Sequence, residues 1–240
     1  MRGRSRSVGS SSGEGAAVSR ETGAESYAGL PTFHVKPERS SALVRGAAHR
    51  LGLSLGSSQV QGLIAYEALL AERAVPLGLV SRSDADRLMS RHILDCLRAA
   101  PLVRPEDRLV IDLGSGAGLP GIVLAIAVPG VHLRLIEPRR RRVAFLEMAI
   151  EHLALSNATV LPGRAEETRT SADLATARAL APLGRSWALT RPLLRPQGRL
   201  LYFSGPLDAP PLPPAGASEV ALAGEKLVDS PGPIVIISRE

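Results

Sequence analysis

Asp112-Leu113-Gly114-Ser115-Gly116-Ala117-Gly118-Leu119-Pro120-Gly121 closes the β-type run Leu109-Val110-Ile111-Asp112-Leu113 and opens a helical stretch, Pro120 to Val128. Proline suits the first turn of a helix, because its missing N–H is one that a helix start leaves unpaired anyway. Glycines between a strand and a helix allow positive φ and let a ligand approach the backbone closely. Such a loop lies at the carboxyl edge of a strand, where doubly wound sheets bind their ligands.

Outward from this loop, short apolar runs alternate with helical stretches. His132 to Glu137 reads as a second strand, and Arg139 to Leu153 as an amphipathic helix with Val143, Leu146, Ala149 and Ile150 inward. Ala158 to Leu161, Leu174 to Ala179 and Gly198 to Ser204 read as the next three strands, with a helix over Pro182 to Leu194. Pro206 to Pro214 holds five prolines and is expected to be an exposed loop, followed by closing strands at Glu219 to Val228 and Pro233 to Arg239. This alternation implies an α/β fold, a mostly parallel sheet with helices on both faces.

Before Arg108 the pattern is helical from Ser40 to Pro101, with Val60, Leu63, Ile64, Leu69 and Leu70 on one side. A break at Pro76 and Gly78 precedes a second helix through Leu88, Ile93, Leu94 and Leu97, which Ser83 or Asp84 is placed to cap. The N-terminal residues are rich in Ser, Gly, Ala and Glu without apolar period. Three parts are therefore expected: a disordered tail over 1–35, a helical cap over 36–103 and an α/β domain over 104–240.

Of 240 residues, 45% are hydrophobic and 22% charged, enough for a core and against fibrous or wholly disordered classes. No apolar run is long enough to span a membrane, and Arg2, Arg4 and Arg6 are followed by no secretory apolar region. The lone Cys96 excludes an intrachain disulfide, so a reducing, cytoplasmic location is expected. His34, His49, His92, His132 and His152 lack metal-ligand spacing, and no metal is expected. Net charge is +6, and 27 of the 29 basic residues are arginines. That balance is compatible with nucleic acid, and equally with a coding sequence that favours Arg, Ala, Gly and Pro together.

Gly116 to Gly121 also satisfies the dinucleotide pattern G-x-G-x-x-G. The acid at Asp112 is expected to lie at the lip of the loop, where it would repel a pyrophosphate and attract the sulfonium of S-adenosylmethionine. Glu137, closing the second strand, is placed to accept hydrogen bonds from ribose hydroxyls of NAD or S-adenosylmethionine alike, or to pair with Arg139. Gly163-Arg164-Ala165-Glu166-Glu167 follows the third strand, within reach of an adenine edge. Arg178 ends the fourth strand on the same rim, facing the ligand or in a salt bridge with Glu166 or Asp112.

Together with Arg91-His92-Ile93-Leu94-Asp95, Arg142-Val143-Ala144-Phe145-Leu146 and Ala177-Arg178-Ala179, these motifs make the chain resemble the RsmG (GidB) family from about Arg82 to Phe203. The resemblance implies a class I S-adenosylmethionine-dependent methyltransferase fold that methylates N7 of one guanine in 16S ribosomal RNA. It further implies that Gly114 and Leu119 line the methionine and ribose side of the donor, with Gly116 a further cofactor-binding candidate. Ala165 and Glu166 would then meet the adenine, and Arg178 the reacting end. The expected partner is 16S ribosomal RNA or the small ribosomal subunit. Two departures stand out: Cys96 replaces a common Ser, and Ser204-Gly205 replaces a usual Lys-Gly. Alternatives are a non-catalytic RNA-binding relative, suggested by Ser204, and an NAD-dependent oxidoreductase.

Guanine N7 carries a free lone pair and no proton, so no general base is required and no catalytic residue is assigned. Arg91 and the run Arg139, Arg140, Arg141 and Arg142 are the candidate RNA contacts; the run reads equally as a solvated helix face. Reversing two charges within Arg139–Arg142 is expected to weaken RNA binding and flatten its salt dependence. An unchanged slope of log affinity against log salt assigns the run to a solvated face.

Overall fold

The computed structural model describes Met1 and residues 36–207, 209–225, 227 and 232–240. Apart from Met1, the expected tail over 1–35 lies outside the described residues. Residues 36 onward belong to one compact unit.

Its centre is a seven-stranded sheet of order β3-β2-β1-β4-β5-β7-β6. The strands are β1 Leu109–Leu113, β2 His132–Glu137, β3 Ala158–Pro162, β4 Ala172–Arg178, β5 Leu194–Phe203, β6 Ala217–Ala223 and β7 Ile234–Arg239. Strands β1 to β5 run parallel; β7 lies antiparallel between β5 and β6. Helices α1 Pro37–Arg50, α2 Ser57–Leu69 and α3 Leu94–Leu97 precede the sheet, and α4 Gly121–Ala127, α5 Arg140–His152 and α6 Leu183–Thr190 cross between strands.

The period of two along each strand sorts side chains into two cores. Val110, Leu133, Leu135 and Leu174 face α4, α5 and the N-terminal helices, in one core with Ile122, Phe145, Leu63 and Ile93. Ile111, Leu113, Ile136, Ala175 and Ala177 face the other way, toward Trp187 of α6. Helix α2 buries residues on more than one side, Val60, Leu63, Ile64, Tyr66, Glu67 and Leu69, so it lies inside the helical layer. Against α4 it comes so close that a Cβ at Gly62 would lie 3.0 Å from Ile126.

Between α2 and β1 the expected single helix is broken up. A 3₁₀ segment Arg82–Arg87 runs into a wide π-type segment Leu88–Ile93 and then α3. The cap is Ser81, whose Oγ accepts the Ser83 N–H at 3.3 Å, rather than Ser83 or Asp84. Strand β5 begins earlier than expected, at Leu194, and carries Gln197 at φ 63° beside Gly198.

The end of β1 is fastened from below. Asp112, on the same face as Val110, is 1% exposed. Its Oδ1 accepts the Thr176 hydroxyl at 2.7 Å and its Oδ2 accepts the Gly121 N–H at 3.2 Å. The Asp112 carbonyl accepts the Ser115 hydroxyl at 2.9 Å. Gly121 must lack a side chain, because a Cβ there would overlap Leu135 and stand 2.8 Å from Asp112 Oδ2. The expected acidic lip is therefore corrected: the Asp112 carboxylate points into the protein, where strand alternation sends it, and ties β1 to β4 and to the start of α4.

Burial raises the Asp112 pKa from 3.8 to about 6, against the opposing effect of its hydrogen bonds. Between those values the folded protein holds a proton that the unfolded chain has released, so this group makes stability fall as pH rises from about 4 to about 6. The change is on the order of 3 kcal/mol. Asp112→Asn cannot titrate, and its urea-unfolding free energy is expected to lack that component. Parallel pH profiles for the two proteins would contradict it.

Candidate active site

Because β1 to β4 are parallel neighbours, their carboxyl ends share one rim of the sheet, on both sides of the point where strand order reverses. The glycine loop, Glu137, the turn after β3 and Arg178 all lie there. Gly114, Gly116 and Gly118 adopt φ of 66°, 60° and 90°. At Gly114 a Cβ would lie 2.7 Å from Leu180 Cδ1.

Most of the loop's N–H groups are bonded within the protein. Gly114 and Ser115 N–H groups donate to the Ile136 carbonyl at 2.9 and 3.2 Å. Those of Gly118 and Leu119 donate to the Ser115 carbonyl at 2.7 and 3.3 Å. Gly116 N–H donates to Glu137 Oε2 at 3.0 Å, and Gly121 N–H to Asp112. Glu137 is 1% exposed, and its Oε1 accepts the Arg139 N–H at 3.0 Å. Its ion pair is with Arg142, at 3.6 Å, so Arg139 meets it through the backbone and not through the guanidinium expected.

A cavity of about 380 Å³ opens on this rim, lined by Gly114, Pro138, Arg139, Ala165, Glu166 and Leu180 among others. That volume is within the ~300–1,000 Å³ of small-molecule sites. Ala165 and Glu166 belong to a 3₁₀ turn, Ala165–Glu167, anchored where Gly163 N–H donates to the Glu137 carbonyl at 3.1 Å. A larger cavity, about 710 Å³, lies between α1 and the segment 82–97 and touches none of the strand ends.

The structure thus brings Gly114, Ala165, Glu166 and Arg139 onto one cavity, with Gly116 and Glu137 bonded to each other beside it. Asp112 and Leu119 are elsewhere. Leu119 is 8% exposed and packs in the core shared with the helices. Arg139, Arg140 and Arg141 are exposed, whereas Arg142 is partly covered. Ser204 is buried, its single hydroxyl proton shared between the Gly205 and Pro233 carbonyls at 2.8 and 2.9 Å. Among the described residues no group of His, Cys, Asp and Glu forms a metal-holding cluster.

Arg178 takes neither of the partners expected for it. Its Nε donates to Asp95 Oδ2 at 3.2 Å, and its Nη2 to His92 Nδ1 at 3.0 Å and to the Arg91 carbonyl at 3.4 Å. The Arg91-to-Asp95 and Ala177-to-Ala179 motifs are therefore two halves of one cluster. Sequence reading also missed Tyr66, fully buried on α2, whose hydroxyl donates to the Ala117 carbonyl of the loop at 2.6 Å. Nothing local marks that tyrosine; its partner lies 51 residues away.

The sequence pattern of GidB, described as rRNA small subunit methyltransferase G, matches residues 59–210. A Ribosomal RNA small subunit methyltransferase G of Clavibacter michiganensis is 46% identical over 142 residues, 58% of this chain. The chain spans slightly under two thirds of that relative, 66%. The protein of the same name from Salinispora arenicola is 38% identical over 195 residues, 74% of this chain and 80% of its own. In structure, a mutant of MtNAS in complex with S-adenosylmethionine is similar with a TM-score of 0.51 at 20% identity, covering 83% of this chain and 77% of that one. The fold is that of the class I methyltransferases. With more than half of its length matched by one family pattern, the chain belongs to the GidB family, rRNA small subunit methyltransferase G.

Proposed function

We propose that this protein transfers a methyl group from S-adenosylmethionine to N7 of a guanine in 16S ribosomal RNA. The observation that carries the donor is the bonding of most of the glycine loop's N–H groups within the protein. A pyrophosphate is held by free N–H groups pointing at it. Here the N–H groups of Gly114, Ser115, Gly116, Gly118, Leu119 and Gly121 all donate inside the protein. Only the Ala117 N–H of the loop has no such acceptor among the described residues, so the loop suits a phosphate-free adenosine better than NAD. This replaces the charge contact expected from Asp112, which is turned inward.

The remaining residues suit that ligand. A carboxylate has about four acceptor positions. Two of them at Glu137 are taken by Gly116 and Arg139 N–H groups, which leaves acceptors for ribose hydroxyls. Pro138 and Leu180 offer flat apolar contact, and Glu166 an acceptor, around an adenine. The donor supplies an electrophilic methyl on a sulfonium. The chain has no proton to remove from guanine N7, so its residues act by orienting the two partners and excluding water. Exposed Arg139, Arg140 and Arg141 beside the cavity, on a protein of net charge +6, suit an RNA backbone. Among the described residues no helix is long and apolar enough to cross a membrane. A cytoplasmic location goes with this reading.

The inward bonding of Ser204 gives that residue a structural use that needs no contact with RNA. Mass spectrometry of 16S ribosomal RNA from a strain lacking this protein is expected to show one 7-methylguanosine missing, restored by the intact gene. An unchanged 7-methylguanosine content would favour the non-catalytic relative or another substrate.

A further inference from the structure

One carboxylate serves two guanidiniums beneath the rim. Asp95, 1% exposed, binds Arg98 Nη1 through Oδ1 at 2.7 Å and Arg178 Nε through Oδ2 at 3.2 Å. Arg98 is itself 2% exposed, and its other donors go to the carbonyls of Gly224, Glu225 and Gly232. The Arg98–Asp95–Arg178 group therefore carries one positive charge more than its own carboxylate cancels. The next acid, Asp112, is bonded to Thr176 and Gly121. Asp112 attracts Arg178 through space but bonds to none of its N–H groups, so donor capacity on Arg178 remains for an anionic group from outside.

His92 fixes the direction from which that group must come. A guanidinium has no acceptor, so His92 Nδ1 must take the Arg178 hydrogen bond with its lone pair. The ring proton then sits on Nε2 and donates to Asp84 Oδ2 at 3.2 Å. Burial, then the nearby Arg178, push the imidazole pKa down, in keeping with this neutral form. Asp84 is held in turn by Arg87 at 3.1 Å and Arg91 at 3.3 Å. Of the five Arg178 N–H groups, those on Nε and Nη2 have partners. Those on Nη1 have none among the described residues.

We propose that His92 and Asp95 are positioning residues, holding the Arg178 guanidinium so that its Nη1 N–H groups are left for the carboxylate of the methyl donor. The inference rests on the reading of S-adenosylmethionine as the donor given above. A carboxylate matches the paired N–H geometry of a guanidinium and brings a full negative charge to it. Guanine O6 does neither as well, because a cation bonded there draws electrons away from the N7 that must attack.

The test is calorimetric binding of S-adenosylmethionine and of decarboxylated S-adenosylmethionine to the full chain. Wild-type protein is expected to prefer the carboxylated form. A hydrogen bond to a charged group is worth about a factor of ten or more. Asp95→Asn and His92→Ala are accordingly expected to cut that preference about tenfold, leaving affinity for the decarboxylated form unchanged. His92→Asn, which keeps an acceptor near the Nδ1 position, is expected to retain it. His92→Ala carries the test if Asp95→Asn, which leaves Arg98 unpaired in the core, does not fold. A preference unchanged in the folded variants would overturn the proposal, as would equal losses for both ligands, which mark a merely structural role. Failure of the wild-type chain to bind either compound would sink the donor reading itself.

Discussion

A loop that bonds to itself is the constraint on which this molecule is built. Six N–H groups between Gly114 and Gly121 find acceptors within the protein: the Ile136 and Ser115 carbonyls, Glu137 and Asp112. The loop can be so tight because three of its residues take positive φ without a side chain to oppose it. Its two carboxylate anchors come from neighbouring strands, Asp112 below and Glu137 beside. The sheet thereby sets the shape of the loop, and the loop leaves a rim that accepts flat, phosphate-free ligands.

The helices ahead of the sheet are joined to that rim at two points. Tyr66 reaches from α2 to the Ala117 carbonyl, and His92 and Asp95 reach from the segment before β1 to Arg178 at the end of β4. The same helices share one core with α4, α5 and a face of the sheet. Displacing them would move loop and arginine together, so the helical segment is part of how the site is shaped.

Much of this was written in local pattern. Strand β2 falls on the expected His132–Glu137, and α5 lies one residue inside the expected helix at each end, because apolar period and flanking loop residues agree there. The loop glycines were identifiable from order and spacing, and Ala165 and Glu166 from the family resemblance. Asp112 was misread although its direction was implicit. Alternation along Leu109–Leu113 places it on the face of Val110, beneath the helix that the loop begins. The partners of Arg178 had no such signal, since Asp95 lies 83 residues away and only the folded chain brings them together. The 3₁₀ and π-type turns over 82–93 leave no mark in helical periodicity. The early start of β5 was hidden by Pro196 and Gly198, residues that ordinarily argue against a strand interior.

The central claim is that the glycine loop, with six of its seven N–H groups bonded within the protein, has too few amides left for a pyrophosphate and receives an adenosine without one. Equilibrium titration of the full chain with S-adenosylmethionine and with NAD tests it most directly. The account predicts saturable binding of S-adenosylmethionine and none of NAD. Saturable NAD binding with no binding of S-adenosylmethionine would contradict it.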